Sequence, residues 1–191
     1  CSKVVILLSV MRSFYTGGMK YRKALLILLM LLVFGISALT ASTYIRGIGA
    51  QVGQLSADGL SFFQKFDETS ALQATAGLYL RGNSYLDYSV GVEYQHTFFS
   101  AAYQDWFASD LYWFAGLNHR GFASVDSSTG QYGYAPSFGI GGGFGVEPVF
   151  LGHFSVPVSF GYGVFYAVDE VPFIERLTVT FLAQIGARYR F

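Results

Sequence analysis

Residues 86–98 read Leu-Asp-Tyr-Ser-Val-Gly-Val-Glu-Tyr-Gln-His-Thr-Phe and change character at every step. Leu86, Tyr88, Val90, Val92, Tyr94, His96 and Phe98 take the even positions; Asp87, Ser89, Gly91, Glu93, Gln95 and Thr97 take the odd ones. Successive side chains of a strand point to opposite faces, so this stretch makes one greasy face and one polar face. The same split recurs in 72–80, where Leu72, Ala74, Ala76, Leu78 and Leu80 oppose Gln73, Thr75, Gly77 and Tyr79. In 138–146, Phe138, Ile140, Phe144 and Val146 oppose a run of glycines leading to Glu147. In 154–166, Phe154, Val156, Val158, Phe160, Tyr162, Val164 and Tyr166 oppose Ser155, Pro157, Ser159, Gly161 and Gly163. In 177–191, the odd positions from Leu177 to Phe191 are apolar or aromatic, against Thr178, Thr180, Gln184, Gly186, Arg188 and Arg190. Weaker alternation over 44–53, 60–66 and 107–118 brings the expected number of strands to eight, separated by turn-rich pieces such as Ser56-Ala57-Asp58-Gly59.

Which face is inside decides the class. A soluble barrel or sandwich fills its interior with bulky apolar groups. Here the large apolar groups share one face, while glycine, small polar groups and nearly all mid-strand charges share the other. A narrow eight-stranded barrel has room inside for compact polar side chains, so the greasy face must look outward. Lipid tolerates eight such faces and water does not, and a closed barrel leaves no unpaired edge in hydrocarbon. The expected fold is all-β: an eight-stranded antiparallel up-and-down transmembrane β-barrel. Aromatics near strand ends (Phe62, Phe63, Phe98, Phe99, Trp106, Phe107, Phe165, Tyr166, Tyr189 and Phe191) are expected to form interfacial girdles. No linker divides 42–191, which reads as one domain.

A helical signal segment is expected ahead of it. From Met19 the chain runs Met-Lys-Tyr-Arg-Lys, then is apolar from Ala24 to Phe34, then small-residue-rich from Gly35 to Ser42. These are the three parts of a secretory signal peptide, 19–41, with cleavage after Ala41 or Ala38. An uncleaved membrane helix is the alternative, but no positively charged stop-transfer cluster follows. Residues 1–18 fit neither and are expected to lie outside the mature protein. The 12 Lys and Arg balance the 12 Asp and Glu over the whole chain. Five of the basic residues precede position 41, so the body carries seven basic against twelve acidic residues, a net charge of −5. That balance argues against nucleic acid as a partner. The single cysteine, Cys1, provides neither a disulfide framework nor a thiolate zinc site.

The last eight residues, Gln184-Ile185-Gly186-Ala187-Arg188-Tyr189-Arg190-Phe191, carry the sharpest motif. They follow the order polar, any, glycine, any two, aromatic, any, terminal aromatic. This resembles the C-terminal assembly signal of bacterial outer-membrane β-barrel proteins, with Gln184, Gly186, Tyr189 and Phe191 at the four defined positions. The resemblance implies an outer-membrane location reached through a cleaved signal peptide. It also implies contact with outer-membrane lipid and recognition of the last strand by the barrel assembly machinery during insertion. A monomer without a cofactor is expected.

The candidates for chemistry are few. His153-Phe154-Ser155 resembles the His-x-Ser pair of the lipid A deacylase family, in which histidine activates serine. It departs from that pattern at Val156 and Pro157, and no carboxylate is placed to orient the histidine. No catalytic residues are therefore assigned. Gly139–Gly145 lacks the lysine and helix of a phosphate-cradling loop. His96, His119 and His153 sit on separate elements without a partner at ligand spacing, so no metal site is expected. The charges on the polar face matter more. Glu93, Asp110 and Glu147 come from middle strands, while Arg188 and Arg190 come from the last. A charge in a narrow lumen is tolerable when paired or hydrated, so pairing between these acids and arginines is expected. The functional expectation is a structural or interaction protein with a polar, plugged lumen and short surface loops. A lipid-modifying enzyme and a narrow pore are the rivals.

Overall fold

The computed structural model describes residues 45–81, 85–125, 132–168 and 177–191; the expected signal peptide and the segment before it lie outside them. The strands are β1 (Arg46–Gly53), β2 (Gly59–Lys65), β3 (Ser70–Arg81), β4 (Tyr85–Gln104), β5 (Phe107–Val125), β6 (Tyr132–Phe150), β7 (Phe154–Ser155), β8 (Val158–Ala167) and β9 (Leu177–Arg190). All pairings are antiparallel, and β1 also pairs with β9, so the sheet closes into a ring. The paired residues can be followed from Leu177 through Tyr166, Phe138, His119, Val90, Ala76, Leu60 and Ala50 back to β9 at Ala187. The circuit misses its start by ten residues, from 177 to 187. That stagger is the geometric signature of tilted strands in a closed barrel.

Nine strands appear where eight were expected because the stretch 154–166 is broken at Val156-Pro157. Proline has no N–H to give to a ladder, which confines it to edges and irregularities. Its carbonyl still accepts from Gly186 N at 2.9 Å, so β7 and β8 together fill one position in the ring between β6 and β9.

The alternation read from sequence matches the burial. From Phe181 to Arg190 the residues of β9 are strictly exposed and buried in turn. Large apolar groups such as Leu60, Leu117, Ile140, Phe144 and Val179 lie outside, and Gln73, Thr75, Ser89, Glu93 and Gln95 lie inside. Two aromatics expected in the girdles are interior instead. Phe63 occupies an odd, inward position on β2 and is capped by the Arg188 guanidinium at 4.2 Å, while Phe165 packs against an internal apolar cluster.

The interior is also less uniformly polar than expected. Phe114 and Leu182 fall on the polar faces of β5 and β9, and with Tyr112 and Leu55 they form a buried apolar layer. Glycine makes that layer possible. A Cβ at Gly145 would run into the Tyr112 ring, and one at Gly163 would stand 3.2 Å from Leu182 Cδ2.

Candidate functional site: the lumen of the barrel

The turn between β1 and β2, residues 54–58, leaves the wall and enters the barrel. Leu55, Ser56 and Ala57 are essentially inaccessible, and Ala57 adopts a left-handed φ of 70° at the tip. Five contacts fix it. Ser56 N donates to Gln184 Oε1 at 2.5 Å, Gly53 N to Asp58 Oδ1 at 2.9 Å, and Asp58 N to Ser89 Oγ at 3.2 Å. Arg120 closes an ion pair with Asp58, and Leu55 joins the apolar layer on the far wall. The strands behind the turn carry glycine where its backbone comes close. A Cβ at Gly91 would collide with the Ser56 carbonyl, and one at Gly77 with the Asp58 carbonyl. Sequence reading treated Ser56-Ala57-Asp58-Gly59 as an ordinary turn between strands. The available signal was Leu55, an apolar residue in a turn, together with glycines on the inward faces of β3 and β4.

Nearer the start of β1 and the end of β9 the lumen holds a dense polar network. Glu147 is flanked by both terminal arginines, with Arg190 Nη2 at 2.8 Å from Oε2 and Arg188 Nε at 3.4 Å from Oε1. Arg190 Nη2 also lies 3.2 Å from Asp110 Oδ2, whose partner oxygen accepts from Ser100 Oγ at 2.7 Å. Arg188 donates to Gln73 Oε1 at 2.7 Å, which also accepts from Gln95 Nε2 at 3.0 Å. Glu93 stands apart from the other four. No arginine lies within ion-pair distance of it among the described residues; Gln184 Nε2 donates to it at 2.7 Å. Glu93 and Glu147 are therefore held by different means: one by an amide, the other by two guanidinium groups.

The other candidates are engaged elsewhere. Ser155 Oγ donates to Glu147 Oε1 at 2.5 Å inside the barrel, whereas His153 Nδ1 lies 3.1 Å from the Arg190 carbonyl and its ring stacks on Tyr189. His119 meets Tyr88 Oη at 2.9 Å, and His96 lies against Trp113. Of the last-strand motif, Gln184 bonds Glu93, Ser159 and the inserted turn, and Gly186 faces inward against Gln51. Tyr189 and Phe191 stack outside the wall, their rings 6.5 Å apart. Phe191 and Arg46 exchange backbone hydrogen bonds of 2.8 and 3.0 Å at the closing seam.

No family model matches the chain, and no curated protein matches it in sequence. Among solved structures it is similar to the N-terminal β-barrel domain of Pseudomonas aeruginosa OprF, with a TM-score of 0.51 over 77% of this chain and 97% of that one, at 17% identity. The fold is that of the outer-membrane β-barrels. Neisserial surface protein A also aligns, over 77% of this chain and 94% of its own, at 16% identity and a TM-score of 0.42. The Yersinia pestis attachment invasion locus protein, Ail, aligns over 78% of this chain and 97% of its own, at 14% identity and a TM-score of 0.34. At these identities the likeness speaks for the fold alone.

Proposed function

We propose that the chain is a closed outer-membrane anchor: a barrel that spans the bilayer, does not conduct, and presents short surface loops. The observation that supports this reading is that buried side chains occupy the interior at two levels. The inserted turn and its apolar layer cross the lumen, and the network centred on Glu147 fills it nearer the termini. In this reading His153 and Ser155 are structural, and no catalytic group is assigned. Planar-bilayer recording tests it. The wild-type chain should give no steady unitary conductance, while Gly91→Leu, which crowds the Ser56 carbonyl, should open intermittent conductance. A stable conductance from the wild type would replace the anchor with a pore.

Export through the segment 19–41 and reading of Gln184, Gly186, Tyr189 and Phe191 by the assembly machinery complete the proposal. Its support is the match of the last octet and the exposure of both aromatics at the closing seam. Deleting Phe191 should lower the amount of folded protein recovered from the outer membrane. Recovery at the wild-type level would remove these residues from that role.

A further inference from the structure

On the outer face of the wall, toward the end where β4 and β6 begin, three polar rings are joined in a line. Tyr88 Oη lies 2.9 Å from His119 Nε2 and 2.6 Å from Tyr134 Oη, and His119 Nδ1 lies 3.1 Å from the Ser137 carbonyl. The three residues occupy outward positions on β4, β5 and β6 in turn. The line is braced from both sides. The His119 ring stacks on Phe138 at 4.6 Å, and Tyr88 lies across Gly121, where a Cβ would run into its ring.

The Ser137 carbonyl fixes the direction of every hydrogen in the line. A carbonyl only accepts, so His119 Nδ1 carries the imidazole hydrogen and Nε2 keeps a lone pair. Tyr88 must then donate to Nε2, which uses its single hydrogen, and Tyr134 must donate to Tyr88. Tyr134 Oη is the open end: its hydrogen is spent, and its lone pairs meet no donor among the described residues. An ordinary interfacial tyrosine both gives and accepts hydrogen bonds. This one can only accept.

The line sits where the apolar band ends. From Leu111, the outward side of β5 carries Trp113, Ala115 and Leu117 before His119, and that of β6 carries Phe144, Ile140 and Phe138 before Tyr134. A tilted strand crosses hydrocarbon in about 9–11 residues, so Tyr134 stands among headgroups when the residues below it stand in the bilayer. Tyr134 and Phe138 are half exposed, and aromatic faces attract a cation. Among the described residues no lysine or arginine bonds to the line to hold a phosphate instead; Arg120, next to His119 in sequence, pairs with Asp58.

We propose that Tyr134, aimed by Tyr88 and His119, binds the primary ammonium of a membrane-lipid headgroup. The ammonium donates to Tyr134 Oη and rests against the exposed rings, while the acyl chains run down the greasy face along Leu117 and Ile140. The proposal rests on the bilayer placement argued above, and its test separates the two.

In the full chain with Trp106 and Trp113 changed to Phe, Leu117→Trp places a single reporter two residues from His119, and Val52→Trp places one on β1. Both positions are 60% exposed on the outer face, so they report on equal terms. The folded variants go into vesicles of phosphatidylcholine brominated along its acyl chains, to which unbrominated phosphatidylethanolamine or phosphatidylglycerol is added. Both reporters should be quenched in brominated phosphatidylcholine alone; absence of quenching at both overturns the bilayer placement and the site together. Phosphatidylethanolamine should relieve quenching at 117 several-fold more than at 52 at equal mole fraction, whereas phosphatidylglycerol should relieve both alike. Ile140→Trp gives the same reading from β6 if Leu117→Trp fails to fold. Tyr134→Phe, which keeps the ring and lacks the oxygen, should bring relief at 117 down to the level at 52. Tyr88→Phe should also lower it, because Tyr134 keeps its oxygen but regains a free hydrogen. Equal relief at the two reporters, with quenching intact, overturns the ammonium site and leaves the membrane placement standing. A preference that survives both Tyr134→Phe and Tyr88→Phe overturns it as well. Greater relief by phosphatidylglycerol than by phosphatidylethanolamine assigns the rings to an anionic headgroup and overturns the proposal.

Discussion

The two ends of the lumen solve the same problem in different ways. Where β1 starts and β9 ends the ring closes through β1–β9 pairing, and the inward charges face one another, Arg190 between Asp110 and Glu147 and Arg188 against Glu147, with Gln73 accepting from Arg188. Toward the other end, beyond the Gly53↔Gln184 and Leu60↔Ala76 pairs, the interior among the described residues holds the chain's own turn with Leu55 and the side chains of Tyr112, Phe114 and Leu182. Charges need close, fixed partners when water is excluded, and only a complete ring holds opposing strands at fixed distance. An apolar filling has no such directional demand. One end is thus held by paired charges, while the other is held by the packing of its own turn.

The largest expected effect comes from the charged end. Glu147→Ala would leave Arg188 and Arg190 sharing only Asp110 and Gln73, and removing one partner of a buried ion pair costs about 3–5 kcal/mol. Urea unfolding in lipid vesicles should show that loss. The double variant with Arg190→Ala should lose clearly less than the sum of the two single losses, because both changes abolish one contact. Glu93→Ala, which forfeits an amide hydrogen bond and no ion pair, should lose less, about 1–3 kcal/mol. Equal losses at the two glutamates, with additivity between Glu147 and Arg190, would mean that lumen water screens these charges and that the two ends differ less than the geometry implies.

At the end that holds the inserted turn the measure is volume. Leu182→Ala removes a fully buried side chain from the layer that receives Leu55, and should cost about 2–4 kcal/mol as the cavity fails to collapse. Because the same cavity loosens the turn, hydrogen exchange at Ser56 and Asp58 should quicken, while exchange on β9 near Arg188 stays slow. Uniform acceleration along β9 would join the two ends into one cooperative unit.

Leu182 also marks where the sequence stopped being legible. Period-two alternation settled the strands, their outward faces and the side of the wall on which all five charges lie, since a one-residue slip would have inverted every one of them. It had no means of describing the inside, because lumen contacts join residues by height across the barrel, which stagger determines and a single strand's pattern does not record. Phe114 and Leu182 interrupt polar faces, and the Leu182 side chain is matched by Gly141 and Gly163 on other strands. That complementarity becomes visible once the pairs are known. The break at Pro157 was readable in principle from proline's missing donor. The inserted turn left only a faint trace in Leu55, since Ser56-Ala57-Asp58-Gly59 has the composition of any exposed connection, and its direction is set by Gly77 and Gly91 on other strands.

The smallest expected effect concerns the turn at the opposite end, between β2 and β3, which remains outside the lumen. There Asp67 Oδ1 accepts from Ser70 N at 2.6 Å, from Thr69 N at 2.8 Å and from Thr69 Oγ1 at 3.0 Å. The backbone N–H of Ser70 and then that of Thr69 hold this carboxyl below the ordinary aspartate range. A pKa lower in the folded than in the unfolded chain means that ionised Asp67 favours folding. Its contribution is complete above the unfolded value of about 4 and disappears as pH falls through the folded value. Asp67→Asn keeps an acceptor but no charge. The wild type should therefore be the more stable of the two at neutral pH, and the difference should shrink on acidification below about pH 4. Asp67 is fully exposed, so the gap should fall well short of those at Glu147 and Leu182. A gap unchanged between neutral and acid pH would trace it to the shape of the turn instead of the carboxylate charge, and would leave the tight turn outside and the inserted turn inside separated by packing alone.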